Sequence, residues 1–308
     1  MLALSRLLLL HELHRLGTMA EVAEVVNLSP SAVSQQLRQL ERECRVPLLA
    51  RAGRGVVLTD AGERLARRAE EMLALMETAR AELVDSEAGA GGTLRIASFQ
   101  TPLIALAPAA VSVLENRHPG LRIGIDQREV DEAYEGLLAR QFDVILGEDY
   151  PGCARPVRRC TDREELLADP LLLVLPDLPE WERPGGLADL ADVPWALDPE
   201  GSRTGIWARS FLRSHGVEPW VRFDTPDPLL QVHLVRSGHA AALVPGLIAA
   251  EHLRGTRVLH LPGYPHRTLY TAARAGAGAH PHLRAFRSAL VEAAQGVSQL
   301  DDLDHLDG

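Results

Sequence analysis

Apolar residues recur at helical spacing three times within the first ninety positions, and each recurrence predicts a different kind of helix. Ala20, Ala23, Val26 and Leu28 form the small face of a short helix; Thr18-x-x-Glu21 opens it as a capping box and Asn27 closes it. Val33, Leu37, Leu40 and Cys44 follow at the same period, behind Ser29 as N-cap and Pro30 at the first helical position, where a missing N–H costs nothing. From Thr59 to Ser86 a single long helix is expected. Its apolar positions Leu65, Ala69, Met72, Met76, Ala79 and Leu83 are 4, 3, 4, 3 and 4 residues apart, a heptad seam of about three repeats. Arg64, Arg67, Arg68, Glu70, Glu71, Glu77 and Glu82 keep its other faces polar, so these six residues predict self-association.

Beyond the glycine-rich stretch from Glu87 to Gly92 the pattern changes to alternating strand and helix. Strands are expected at Leu94 to Ser98, Leu121 to Ile125 and Asp143 to Leu146, with helices from Pro102 to Arg117 and Asp131 to Arg140, a βαβαβ unit with a parallel sheet. A second unit has strands near Leu171 to Leu175, Trp195 to Leu197, Val221 to Phe223 and Ala240 to Val244. Its helices are near Arg203 to His215 and Asp227 to Arg236. A strand from Thr268 to Ala273 and a helix from Pro281 to Ala294 come last, before an acidic tail, Gln299 to Gly308, expected to be disordered.

The polar face of the second helix carries Ser31, Ser34, Gln35, Arg38 and Arg42. Short polar side chains and an amide near a helix N-terminus suit base edges in a major groove, and guanidinium groups suit phosphates. Gln35 is the expected base reader, since an amide can pair bidentately with adenine. Any amphipathic helix has a polar face, but the short helix before this one and the hairpin after it make a helix-turn-helix with a wing. The segment from Arg51 to Thr59 has Gly53 and Gly55 at its tip and places Arg51 and Arg54 against the DNA backbone or minor groove.

Ala20 and Ala23, the block from Pro30 to Glu41, the Arg51 wing and Leu58-Thr-Asp-Ala-Gly62 together resemble the LysR-type transcriptional regulators, most strongly over residues 1 to 62 and more weakly over essentially the whole chain. The chain departs from that family at Pro30-Ser31, where Gln-Pro is common, and at Gln35, where a basic residue is common. The resemblance implies an α/β chain with an all-α-type N-terminal winged helix-turn-helix over residues 1–58. A linker and dimerisation helix with a hinge follows over 59–92. A two-lobed effector domain of periplasmic-binding-protein type is expected over 93–298, lobe I spanning about 93–158 and 267–298 and lobe II about 159–266, with the acidic tail over 299–308. Two crossings between the lobes are expected near residues 159 and 266. It also implies a homodimer, assembled into a homotetramer, on double-stranded DNA with a pseudo-palindromic operator. RNA polymerase is a further candidate partner.

In open α/β sheets ligands bind beyond the carboxyl ends of the strands. That rule, and the family's use of the loop after its first effector-domain strand, point to Ser98, Phe99, Gln100 and Thr101, with Gly147 and Glu148 at the end of the third strand. Pro102 follows Thr101 as N1 follows an N-cap. Ser202, Thr204 and Thr225 are the facing candidates from the other lobe; for Ser202 and Thr225 a capping or turn role is equally expected. Glu148 and Asp149 at a strand end favour an amine-bearing effector.

Charge narrows the function further. The net charge is −10, yet residues 1–58 hold seven Arg against five Glu, a net of +2, leaving −12 on the remainder. A local DNA-binding surface on an acidic body fits that split, and a general nucleic-acid coat does not. All the basic side chains besides His are Arg, the chain having no Lys, and with abundant Ala, Leu, Gly and Pro this suggests a bacterial source of high GC content. Cys44, Cys153 and Cys160 lack disulfide-scaffold and zinc spacing. Cys44 reads as core, and Cys153 with Cys160 as inert thiols rather than a redox pair.

His11-Glu12-Leu13-His14 is one residue short of the zinc-binding H-E-x-x-H, and no nucleophile elbow or P-loop is present, so neither an enzyme nor a cofactor or metal is expected. Leu7 to Leu10 is too short for a membrane span or a signal peptide, which argues for the cytoplasm. The reading is a sequence-specific transcriptional regulator modulated by a small-molecule effector between two α/β lobes. A solute-binding protein and an architectural DNA-bending protein are the alternatives.

Overall fold

The computed structural model describes residues 2–26, 28–53, 55–85, 92–154, 161–179, 181, 184–297 and 304–305. Arg54, Asn27, Cys160, the expected crossing at 159 and the Leu83 side chain lie outside them.

The reader begins with α1 (Leu4–Leu16), α2 (Met19–Val25) and α3 (Pro30–Cys44), followed by a hairpin of β1 (Leu49–Ala52) and β2 (Gly55–Leu58). Both expected caps form: the Thr18 hydroxyl accepts from the Glu21 amide and the Ser29 hydroxyl from the Ala32 amide, 3.2 Å each. Val33, Leu37 and Leu40 of α3 are buried with Leu10 and Leu13 of α1, Val22 and Ala23 of α2, and Leu48. Cys44 is partly buried, and burial pushes its thiol up.

The long helix α4 (Asp60–Asp85) lies along α1. This corrects the heptad seam at one position: Ala66 and Ala69 are fully buried in the reader's own core, with Leu65 half-buried beside them. A methyl side chain fits a close crossing with the leucine-rich α1, and that contact claims Ala69. Met72, Leu75, Met76 and Ala79, one to three turns further on, are exposed.

The body contains β3 (Gly92–Ser98), α5 (Gln100–Ala105), α6 (Ala107–Arg117), β4 (Leu121–Gln127), α7 (Val130–Leu138), β5 (Val144–Asp149), β6 (Thr161–Pro176), β7 (Pro194–Leu197), α8 (Arg203–Ser214), β8 (Trp220–Asp224), α9 (Pro228–Arg236), β9 (Ala241–Pro245), α10 (Ala249–His252), β10 (Thr256–His260), β11 (His266–Arg274), α11 (Pro281–Val297) and β12 (Asp304–His305). The helix expected from 102 to 117 is two helices. Pro108, in the first turn of α6, has no N–H to give to an earlier carbonyl, and the chain restarts at Leu106.

The strand order is β4-β3-β5-β11-β6-β9-β7-β8, with β10 also on β6. The outer strands form parallel units, β3 with β4 and β5, and β7 with β8 and β9. The central strands run antiparallel: β11 pairs with both β5 and β6, and β6 pairs with β9 and β10. Here the expected lobe boundary is corrected. The first half of β6, Thr161 to Pro170, is in register with β11 in lobe I, and the strand crosses into lobe II only at Leu171. The sequence of that half, rich in Asp, Arg and Glu, hides a strand because its charges are used in ion pairs, Arg163 with Asp149 and Glu164 with Arg287. One apolar core fills lobe I, from Ile96, Val144 and Ile145 to Phe286, and separate cores lie on the two faces of the lobe II sheet. Asp304 and His305 of the expected disordered tail form a short strand beside β10.

Candidate nucleic-acid interface and effector cleft

Ser31, Gln35, Arg38, Arg42 and Arg45 share one open groove with Val46 and Pro47 beyond the end of α3. Gln35 and Arg38 are exposed. The Ser34 hydroxyl accepts from Arg38 Nη2 at 3.1 Å and steadies that guanidinium. Pro30 is the exposed first residue of α3 and starts the helix, while Arg51 is exposed on β1. Sequence reasoning missed Glu41. Its Oε1 accepts from the Leu48 and Leu49 amides, at 2.8 and 3.0 Å, fixing the wing to the reading helix. From α1, Arg6 binds Gln36 at 2.9 Å and ion-pairs with Glu43, tying α1 to the back of α3.

The cleft is organised by a residue that the pattern did not single out. Arg267, 2% exposed, lies where β11 enters lobe I and is in register with Asp169, the last residue but one of β6 before the crossing. Its Nε donates to Asp169 Oδ2 at 2.8 Å, Nη1 to Glu148 at 2.6 Å and Nη2 to Thr101 Oγ1 at 2.8 Å. Its carbon centre sits 5.5 Å from the Phe99 ring. Burial alone would lower its affinity for a proton, but the carboxylates of Asp169 and Glu148 reverse this and hold it charged. Asp169 also accepts from the Leu247 amide at 2.7 Å, so the same carboxylate holds the chain that leaves β9. Burial pushes the Asp169 carboxyl up against the pull of Arg267.

Tyr150 extends the network into lobe II. Its hydroxyl donates to Glu148 at 3.2 Å and accepts from Thr204 at 3.0 Å, and burial raises it well above the ordinary phenol range. Further along, Gln231 donates to Asp198 Oδ2 at 2.9 Å and to the Thr225 carbonyl at 2.8 Å. Burial, with Glu148 and Glu129 nearby, pushes the Asp198 carboxyl up to about 7. Gln100 of lobe I donates to Asp227 of lobe II at 3.2 Å, a bond directly across the cleft.

Of the candidates, Thr101, Glu148 and Thr204 are thus brought together, and Gln100 bridges. Others are spent locally. Ser98 is buried and donates to the Phe99 carbonyl, and Phe99 is in the lobe I core. Ser202 caps α8 through the Gly205 amide and Thr225 receives the Asp227 amide. Gly147 is a packing position, since a Cβ there would strike the Tyr270 ring. Asp149 is ion-paired with Arg163 and Glu148 with Arg267. Asp169 is one of several charges in the first half of β6, so no local signal singled out it or Arg267.

A helix-turn-helix reader joined by one helix to a hinged two-lobed cleft defines a ligand-responsive DNA-binding protein. The family profiles agree: residues 4–63 match "Bacterial regulatory helix-turn-helix protein, lysR family", and residues 87–295 match "LysR substrate binding domain". The chain belongs to the LysR family of transcriptional regulators, with a DNA-binding and an effector-binding domain. It is 30% identical to the RuBisCO operon transcriptional regulator of Allochromatium vinosum over 293 residues, 91% of this chain and 93% of that one. It is 30% identical to the transcriptional regulator GbpR of Rhizobium radiobacter over 247 residues, 77% and 78% of the two chains. Among solved structures, full-length OxyR from Pseudomonas aeruginosa superposes with a TM-score of 0.62 at 19% identity, covering 94% of this chain and 95% of that one. CbnR bound to its target DNA superposes with a TM-score of 0.53 at 22% identity, covering 95% and 100%. Among the described residues no helix is long and apolar enough to cross a membrane.

Proposed function

We propose that the protein acts in the cytoplasm as a one-component regulator, a homodimer that assembles further into a homotetramer, with two α3 helices on a pseudo-palindromic operator. Half-sites one helical turn or a multiple apart follow from a two-fold dimer. Gln35 reads bases, with Ser31 and Ser34 beside it, and Arg38, Arg51 and Arg54 neutralise phosphates. The observation that carries this reading is the exposure of Ser31, Gln35 and Arg38 on a helix that is buried by its other face. Met72, Leu75 and Met76 are uncovered apolar residues of α4, a surface suited to a second α4.

The effector occupies the cleft at Gln100, Thr101, Glu148 and Thr204, together with Tyr150 and Asp198. It is a molecule that offers hydrogen-bond donors or a positive charge. Glu148 and Asp169 outnumber Arg267, whose guanidinium both already engage, and the Asp198 carboxyl adds a further acceptor beside them. A carboxylate-only ligand would enter a field of its own sign.

Binding selection from a random DNA pool tests the reading, repeated with a panel of amino acids and polyamines and with a panel of aromatic acids. The expected result is an inverted repeat whose footprint changes with a member of the first panel. No enriched sequence contradicts the reader, and a change with aromatic acids alone contradicts the effector class. Replacing both Met72 and Met76 by Glu is expected to give monomers in sedimentation. A dimeric mass would remove the α4 seam.

A further inference from the structure

The linker helix meets lobe I through a carboxylate. Glu77 of α4, its side chain 12% exposed, is ion-paired with Arg140 and has Arg274 Nε at 3.9 Å. Arg140 follows the end of α7 with a positive φ of 61°, a conformation unfavourable for a residue with a Cβ, and there its guanidinium meets Glu77. Arg274 ends β11. Its Nη1 donates to the Leu137 and Phe142 carbonyls at 3.1 and 2.5 Å, so it is anchored to the same turn that carries Arg140.

Two more contacts close the seat. Thr78 Oγ1 lies 3.3 Å from the Gly276 carbonyl, and a Cβ on Gly276 would strike the Ala74 carbonyl of α4. On the reader side, His11 and Glu12 of α1 line the same crevice as Glu70, Glu77, Arg140 and Arg274. One point therefore touches reader, linker and lobe I together.

Strand β11 connects that point to the cleft. Arg267 and Arg274 are seven residues apart, roughly 23 Å at the usual strand rise. The strand is hydrogen-bonded on both sides, to β5 and to β6, and offers a continuous path between the two points.

We propose that Glu77, clasped by Arg140 and Arg274, is the coupling joint through which the state of the effector cleft is passed along β11 to the linker helix and the reader. The proposal rests on the cleft being the effector site. Glu77 is a positioning residue, acting through α4 rather than on effector or DNA. When the cleft network rearranges, β11 shifts Arg274, and the ionic seat of α4 on lobe I shifts with it.

The test perturbs the cleft by substitution and needs no identified effector. Thr101→Val removes the hydroxyl that accepts from Arg267 Nη2, and amide hydrogen exchange of α4 is measured in the full chain. Parent, T101V, E77Q, T101V with E77Q, and T101V with E77D are compared. T101V is expected to change exchange around residues 74–78 by about 5-fold or more, the low end of ordinary allosteric coupling. E77Q is expected to abolish that response, and E77D, which keeps the charge, to retain it. An α4 that ignores T101V, or responds equally with E77Q, overturns the proposal. R140Q repeats the E77Q arm should E77Q not fold. Failure of the effector reading looks different: no small molecule protects the cleft, yet T101V still moves α4.

Discussion

Strand β11 has a buried arginine near one end and a half-buried one at the other, and the fold treats the two differently. Arg267, at the cleft, is 2% exposed, binds Asp169, Glu148 and Thr101, and is held charged. Arg274, at the linker, has carbonyls for two of its bonds, Asp143 at 3.4 Å, and an Nε without a hydrogen-bond partner; burial lowers its proton affinity. A charge satisfied by two carboxylates keeps one arrangement. A charge held mainly by carbonyl dipoles, with one donor idle, loses less when its neighbours move. The cleft end is therefore the more tightly held of the two, and its rearrangement needs a ligand or a substitution, while the linker end is a seat that shifts more readily.

Removing the cation at each end is the sharpest way to break this comparison. Arg267→Met leaves Asp169 and Glu148 buried without their partner and is expected to cost about 3–5 kcal/mol, measured by denaturant unfolding. Arg274→Met leaves Glu77 with Arg140 and is expected to cost about 1.5–3 kcal/mol, the range for hydrogen bonds to a charged group. Equal losses would mean that the two ends are equally rigid, and the contrast would be lost.

The reader was legible in sequence because its chemistry is local. Ser31, Gln35 and Arg38 lie on one face of α3 within eight residues, and both N-caps were written in the residues beside them. The lobes were legible as alternating units, but not the half of β6 whose charges pair across the sheet. The cleft was legible as a place and not as a network. Asp169 and Arg267 are 98 residues apart and meet only because β6 and β11 pair antiparallel at the crossing. Ala69 was misread because a small apolar residue suits a contact between chains and a contact with α1 equally, and periodicity does not say which helix arrives.

The two ends also differ in their response to pH, and this is the smallest of the expected effects. At the cleft, burial raises Asp198 from 3.8 to about 7, so the folded state favours the protonated carboxyl. The stability this group supplies is complete below about pH 4 and is lost as the pH rises through about 7. At the linker crevice, burial lowers His11 from its ordinary 6.5, so the folded state favours neutral imidazole, whose Nδ1 has no hydrogen-bond partner. Its contribution is present above 6.5 and lost as the pH falls below that value. Asp198→Asn should therefore stabilise the protein most above pH 7 and least near pH 4, whereas His11→Gln should relieve an acid-side loss and change little at pH 8. Thermal unfolding of both variants and the parent from pH 4.5 to 8.5 separates the two slopes. If Asp198→Asn gives the same gain at both limits, the Asp198 carboxyl titrates as an ordinary surface acid, and the burial assigned to that side of the cleft is absent.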